Sequence, residues 1–163
     1  MSNIVSHPSK SSSCCHGSYF ISTRGTASVL TPVRISANIK AMPPTEVVFY
    51  EEDGKAPVRE WLRTLPVKAQ VKCLAYLSQL EDRGHELRRP VADLLRDGIY
   101  ELRPTYAGIH YRILYFFAGR DAVIVSHGLI KEAAVPAADI ERAIVRRRKF
   151  EANPRVHTMK TEL

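Results

Sequence analysis

Three basic side chains lie in or beside stretches that have the character of β-strands. Arg103 ends the run GIYELR, Arg112 lies within IHYRILYFF, and Lys131 closely follows the run DAVIVSHGL. A buried guanidinium without a partner is costly, so such cations require water, a carboxylate or a phosphate. Arginine offers a planar pair of donors to phosphate oxygens, and lysine adds a point charge. These residue types indicate a site that binds phosphate, with His127 as the side chain that could move a proton near neutral pH.

The three runs predict an antiparallel meander, because aromatic and β-branched residues fill them and glycine-containing turns separate them. Alternation places Glu101 and Arg103 on one face of the first strand, and His110 and Arg112 on one face of the second. If Glu101 pairs across to Arg112, the two arginines share a face. A slip of one residue would put them on opposite faces, and both registers remain open. We expect a functional arginine here to be accessible to solvent.

Patterns on either side of the meander complete an α+β fold. Residues 47–50 form a short buried strand, one helix begins at Pro57, a second covers 67–83, and a last helix runs from 136 to about 150. The predicted order is β-α-α-β-β-β-α, a small antiparallel sheet with a helical hairpin packed on one face. The other face would then carry the site or meet a partner.

Two features of the helical hairpin bear on packing. The second helix has a stripe of apolar residues at helical spacing, which we expect to face the core: Val67, Val71, Leu74, Leu77 and Leu80. In the first helix, Trp61 could hold an unpaired base by stacking. It shares its stripe with Val58 and Leu65, so packing in the core is the favoured interpretation.

The first 44 residues differ in composition from the rest. They are rich in serine and contain four basic residues but no acidic one, so they cannot build a core. The chain's net charge is +7, and without these four cations the remaining 20 basic and 17 acidic residues leave about +3. We predict a disordered extension over 1–44. Three interpretations of this segment are open: an organelle targeting leader, a start codon assigned too early with Met42 as the native start, or a disordered arm that contacts RNA. The second is favoured over the first.

Several classes of protein are disfavoured. No apolar run approaches the roughly 18 residues that a membrane helix needs. Cys14 and Cys15 are adjacent and Cys73 lies in a helical pattern, so neither a disulfide framework nor a zinc spacing is present. We therefore predict a cytoplasmic protein without a membrane segment, metal site or cofactor.

Four motifs occur in a fixed order: D-G-x-Y-E-L-R, then Y-R-I-L-Y-F-F, then S-H-G-x-x-K-E, then a proline shortly before I-E-R-A. Together they resemble the HigB-like branch of the RelE/ParE toxin superfamily, over roughly residues 46 to 153. We therefore expect a RelE-like toxin domain over 45–153 and a flexible tail over 154–163.

The resemblance implies a type II toxin, namely a ribosome-dependent mRNA endonuclease that needs no metal. Its implied partners are a cognate helix-turn-helix antitoxin, the ribosome and mRNA. Such cleavage requires the ribose 2′-hydroxyl to attack its own phosphate while the enzyme moves protons and stabilises added charge. Arg103, Arg112 and Lys131 would supply the charge. His127 would supply the proton transfer, and its equally favoured alternative is a structural histidine at the end of a strand. A strand tyrosine could assist, with Tyr115 among the candidates, although it alternates onto an apolar face with other aromatic residues.

Two basic clusters are candidates for RNA phosphate contacts. Arg88 and Arg89 lie in a loop between Gly84 and Pro90, where solvated charge is the simpler interpretation. The second cluster lies in the last turns of the final helix and consists of Arg146, Arg147, Arg148 and Lys149. Cations there complement the helix dipole, but four exceed what this stabilisation requires.

One departure from the family pattern leaves a second function open. Relatives tend to carry a basic run after the H-G motif, whereas Lys131 is followed by Glu132 and two alanines. Less positive charge weakens attraction for phosphate. The alternative is a non-cleaving module with the same fold that binds nucleic acid or a partner.

Overall fold

The computed structural model describes residues 44–131 and 134–160. In these ranges the chain forms three α-helices and seven strands, which confirms the α+β class. In chain order they are β1 Glu46–Tyr50, α1 Pro57–Thr64, α2 Val67–Arg83, a 3-10 turn Gly84–Glu86, β2 Ala92–Arg96, β3 Ile99–Leu102, β4 Thr105–Tyr106, β5 Ile109–Ala118, β6 Ala122–Lys131, α3 Ala137–Ala152 and β7 Thr158–Lys160. The predicted extension lies outside the described residues except at its last position. None of the described helices is long and apolar enough to span a membrane.

The strands form one sheet in the order β2-β3-β5-β6-β1-β7, and the short β4 also pairs with β5. The predicted meander is antiparallel, but β1 runs parallel to β6, so the sheet as a whole is mixed and the expectation of an antiparallel sheet is wrong in this respect. Local patterns could not reveal this pairing, because the hairpin and the meander separate the two strands in sequence. Residues 158–160, predicted as part of a flexible tail, form β7 against β1.

Helices cover both faces of the sheet. The α1–α2 hairpin packs on one face, as predicted, over a core that includes Tyr111, Ile113 and Tyr115. On the other face α3 packs over a second core that includes Leu114 and Phe116. The prediction that this second face stays open is therefore wrong over the area that α3 covers.

The buried face of α2 differs from the predicted stripe. Leu77 and Leu80 are buried as expected, but Val67, Val71 and Leu74 are exposed. The helix instead buries the smaller residues Ala69 and Cys73 on the same side as the two leucines. Small side chains let the helix approach the sheet closely. Close packing therefore favours the stripe with Ala69 and Cys73 over the stripe with the larger Val71 and Leu74.

A β-bulge divides β6 into two halves. Leu114 pairs with His127 and Tyr115 pairs with Val125, so Ser126 is an extra residue on the β6 side. A bulge of one residue reverses which face the following side chains occupy. After it, Leu129 joins the core under α3, whereas Val125 before it belongs to the core under the hairpin.

Trp61 packs on this strand where β6 has no side chain. A Cβ placed on Gly128 would lie 2.0 Å from Cε3 of the indole, and the ring meets Tyr111 edge-on at 6.3 Å between centroids. The indole is part of the packing around the hairpin core, which confirms the structural interpretation of Trp61.

This contact predicts that Gly128→Ala destabilises the protein by about 1–3 kcal/mol, because the new methyl group overlaps the indole ring. Chemical denaturation of the two proteins measures the difference in unfolding free energy. In a Trp61→Leu background the same substitution should cost much less. An equal loss in both backgrounds would show that the indole is not what excludes a side chain at this position.

Candidate functional site

Glu101 and Arg112 form a buried ion pair on the α3 face. Oε2 of Glu101 and Nε of Arg112 are 2.9 Å apart, and both side chains are about 5% exposed or less. The two atoms are not aligned for a hydrogen bond, so the contact is chiefly between charges. Nη1 of Arg112 also donates to the carbonyl oxygen of Tyr111 at 2.6 Å. The expectation that Arg112 is accessible to solvent is therefore wrong, because a carboxylate on the neighbouring strand encloses it.

Arg103 lies on the same face and remains partly exposed. Its Nε is 3.7 Å from Oε1 of Glu101, and its side chain is 31% exposed. Its Nη1 is 3.9 Å from Oδ2 of Asp93 on the edge strand β2. Neither of the two registers left open by the sequence is present, because Glu101 lies opposite Leu114 and not opposite Arg112 or one of its neighbours. This is a shift of two residues from the Glu101–Arg112 register, so Arg103 and Arg112 still share one face.

Lys131 and His110 meet at the end of this face. Lys131 on β6 lies opposite His110 on β5. His110 is two residues before Arg112 on that strand. His110 is exposed, and its Nδ1 is 3.1 Å from the hydroxyl of Thr105. His110 was absent from the predicted catalytic residues, although alternation already placed it on the face of Arg112. The structure thus brings Arg103, Arg112 and Lys131 to one face, with an accessible histidine beside them.

His127 shares this face but is enclosed beneath α3. Its Nδ1 lies 2.9 Å from the Ser126 hydroxyl and its Nε2 lies 3.4 Å from Oδ1 of Asp139. Burial, aided by the positive charge of Arg146, lowers the pKa of His127 to about 4. The imidazole is therefore neutral near pH 7, and its surroundings are those of a structural histidine.

Tyr115 lies on the opposite face of the sheet, in the core under the hairpin. It is 1% exposed and stacks on Tyr100 with 5.4 Å between ring centroids. Burial raises the pKa of its phenol above the usual value. The structure does not bring Tyr115 to the residues around Arg103.

In the last turns of α3, two members of the predicted basic cluster are held by the protein itself. Arg146 is half-buried and its guanidinium lies 5.5 Å from the ring centroid of Tyr50. Lys149 forms an ion pair with Glu52. Both cations therefore fasten α3 to the end of β1.

The other two members differ in exposure. Arg147 donates from Nε to Glu151 at 2.7 Å and from Nη1 to the carbonyl oxygen of Asp97 at 2.9 Å. Arg148 is exposed and has no ion-pair partner within the described part of the chain. Of the four residues, Arg148 is the one best placed to meet an external anion.

Arg88 and Arg89 are both exposed in the loop before β2. Arg88 donates from Nη1 to the carbonyl oxygen of Leu87 at 3.1 Å, and Nη2 of Arg89 lies 2.5 Å from Oδ2 of Asp93. Since Asp93 also neighbours Arg103, one carboxylate links this loop to the arginines of the sheet. Between residues 44 and 160, excluding 132 and 133, no group of three or more potential metal-ligating side chains occurs.

A family model described as "Phage derived protein Gp49-like (DUF891)" matches residues 60–148, more than half of the chain. The chain belongs to the Gp49-like family. This family is part of the RelE/HigB-like toxin group, so the resemblance seen in the sequence is confirmed at the level of the group. The matched range includes Arg103, Arg112 and Lys131. Among curated proteins, none matches the chain significantly.

For this Gp49-like protein we predict unequal losses of stability when its two neighbouring arginines are replaced. Arg112→Ala should lower the free energy of unfolding by about 3–5 kcal/mol, because it leaves the Glu101 carboxylate buried without its partner. Arg103→Ala should cost less than about 1 kcal/mol, because that side chain is partly exposed. Chemical denaturation of both variants measures these values.

The double variant Glu101→Leu/Arg112→Met is the control, since removing both charges from a buried pair avoids the unpaired carboxylate. It should be more stable than Arg112→Ala. Equal, small losses for the two single alanine variants would contradict the idea that Arg112 is a buried partner of Glu101.

Proposed function

We propose that the protein is the toxin of a type II toxin–antitoxin system and cleaves mRNA on the ribosome. Its membership of the RelE/HigB-like toxin group supports the first part of this proposal. What supports the second part is that Arg103, Arg112 and Lys131 share one face of the sheet, with His110 opposite Lys131.

The proposed reaction is attack of a ribose 2′-hydroxyl on the adjacent phosphorus. The 2′-hydroxyl loses its proton to a base as the new oxygen–phosphorus bond forms, and the 5′-oxygen of the next nucleotide takes up a proton as its bond to phosphorus breaks. A cyclic phosphate and a free 5′-hydroxyl remain, with no net change in protons. The phosphorane between these states carries additional negative charge, which preorganised cations stabilise. Arg103 and Lys131 are the accessible cations of the site and would contact the phosphate oxygens.

Arg112 has a different role in this proposal. It is buried, so it acts through Glu101 and positions Arg103 by holding the carboxylate that both guanidinium groups approach. A side chain fixed before substrate arrives requires no rearrangement during the reaction, which is what gives a preorganised site its effect.

His110 is the favoured group for proton transfer. It is exposed and lies opposite Lys131, whereas His127 is enclosed and Tyr115 lies on the other face. The Thr105 hydroxyl at 3.1 Å orients the ring through Nδ1 and leaves Nε2 free to face a substrate.

A specific observation also supports a second candidate function. Three of the five predicted catalytic residues, Arg112, His127 and Tyr115, are buried. A domain that keeps the toxin fold but binds nucleic acid or a partner without cleaving RNA would show the same burial. Measured cleavage separates the two functions.

We expect Arg103→Ala to lower single-turnover cleavage on programmed ribosomes by about 10²-fold, because one donor to the phosphorane is lost. Arg103→Lys should recover part of this activity, since a point charge cannot reproduce a bidentate contact. Thermal melts establish that the variants remain folded. Arg120→Ala removes an exposed arginine in the β5–β6 turn and should cut at the parental rate. Normal cleavage by folded Arg103→Ala would place the reaction elsewhere.

The proposal also predicts that expression without a partner arrests bacterial growth, and that co-expressing a helix-turn-helix protein encoded by the adjacent gene restores it. The Arg103→Ala variant, expressed to the same level, should arrest growth weakly or not at all. Unimpaired growth with abundant, folded parental protein would favour the non-cleaving function.

A further inference from the structure

A cavity of about 530 Å³ opens at the β2 edge of the sheet. It lies beside the 3-10 turn and the loop that follows it, and its wall includes aromatic rings from three elements and two arginines. We call it the β2-edge pocket. The side chains that define its chemistry are His85, Arg88, Arg89, Asp93, Tyr100 and Phe117. Binding sites for small organic molecules are typically about 300–1,000 Å³, so this cavity can take a nucleotide-sized ligand.

Flat rings form the apolar part of the pocket. The imidazole of His85 stacks on Phe117 with 3.6 Å between centroids and an interplanar angle of 16°. Tyr100 meets Phe117 edge-on at 5.2 Å, and it is held from behind by its stack with Tyr115. All three pocket rings are only partly buried, so each keeps surface that faces the cavity. Such surfaces are suited to a planar base, because every base has a face that stacks on aromatic rings.

Positive charge forms the polar part of the pocket. Arg88 and Arg89 both line the pocket, and its one carboxylate, Asp93, is paired with Arg89 at 2.5 Å. Arg88 is therefore left to meet an anion, and its guanidinium is oriented by the backbone carbonyl oxygens of His85 and Leu87. Guanidinium groups fixed in this way favour phosphate oxygens.

Asp93 joins the pocket to the site around Arg103. Its Oδ2 is 2.5 Å from Nη2 of Arg89 and 3.9 Å from Nη1 of Arg103. The rings lie on the hairpin side of the sheet and Arg103 lies on the α3 side, so a strand that reached both would have to pass round the β2 edge, where Arg89 and Asp93 lie.

We infer that the β2-edge pocket binds a nucleotide, with its base against His85 and Tyr100 and its phosphate at Arg88 and Arg89. Where that nucleotide belongs to the strand cleaved at Arg103, this inference rests on the proposed function and identifies a second point at which the RNA is held. A free mononucleotide has the same chemistry, and the experiment distinguishes the two sources.

The test is equilibrium binding by the full chain at low salt, without ribosomes. Three probes are compared: a short fluorescent single-stranded oligoribonucleotide, an abasic strand of the same length and charge, and adenosine 5′-monophosphate. Loss of one stacked base should weaken binding about tenfold, so the abasic strand should bind about tenfold more weakly than the RNA. His85→Ala should weaken binding of the intact RNA to a similar degree, and His85→Phe, which keeps a flat ring, should restore it.

Arg88→Ala should weaken binding of both strands, since it removes a phosphate contact. Arg63→Ala removes an exposed arginine on α1 and serves as the charge-matched control, with binding like that of the parent. One outcome is that the mononucleotide binds the parent but not His85→Ala or Arg88→Ala, while the RNA does not compete with it. That result would show that the pocket takes a free nucleotide. Competition between them assigns the pocket to the RNA strand.

The inference is overturned if His85→Ala and Arg88→Ala, both shown to be folded by thermal melts, bind all three probes as tightly as the parent. Because the assay involves no cleavage, it can succeed when ribosomal cleavage is absent. Conversely, unchanged binding in these variants together with normal cleavage would overturn nucleotide binding at the β2-edge pocket and leave the proposed function in place.

Discussion

The pairing of β5 with β6 is the constraint on which the site depends. Strict alternation along β6 would put Lys131 on the same face as Val123 and Val125, under the helical hairpin and away from Arg112. The extra residue Ser126 reverses this after the bulge, so that Lys131 lies opposite His110 on the α3 face. The same reversal turns Gly128 toward Trp61. One inserted residue therefore sets both the composition of the site and the contact that seats α1 on the sheet.

Burying Glu101 with Arg112 is difficult to explain by stability alone. The desolvation cost of two buried charges often equals or exceeds their attraction, and a pair of apolar residues would commonly serve as well. The pair also fixes the orientation of the neighbouring Arg103. The Glu101 carboxylate has one oxygen toward Arg112 and the other toward Arg103, so the more exposed arginine is held by a group that is itself fixed. Removing only one partner leaves a buried charge without a counter-ion, so a single substitution at either position lowers the stability of the fold strongly.

The sequence predicted most elements that carry a strong period, including the second helix over its full length and the strands around Arg103 and Arg112. It did not predict β2 or β7, because ADLLR has weak β-propensity and TMK is too short to show alternation. The bulge was not predictable either, since Ser126 looks like any strand residue. Burial of Arg112 depends on Glu101 lying diagonally beside it on the neighbouring strand, in a register that was neither of the two left open. His110 could have been predicted from the sequence as the residue for proton transfer, because alternation already placed it on the same face as Arg112.

Several cations of the sheet and of α3 are engaged in ion pairs within the fold. Arg112 faces Glu101, Lys149 faces Glu52, and Arg147 faces Glu151. Nonspecific affinity for nucleic acid grows with the number of phosphates that free cations neutralise. Each cation held in an internal ion pair is less available to phosphate, so the affinity of the domain for RNA is lower than its number of basic residues alone would give. In the proposed function the ribosome would hold the message, so a few fixed cations at one phosphate would be enough. The same engagement of cations explains why a single stacked base at the β2 edge would matter, since stacking adds affinity without adding the charge that would make binding indiscriminate.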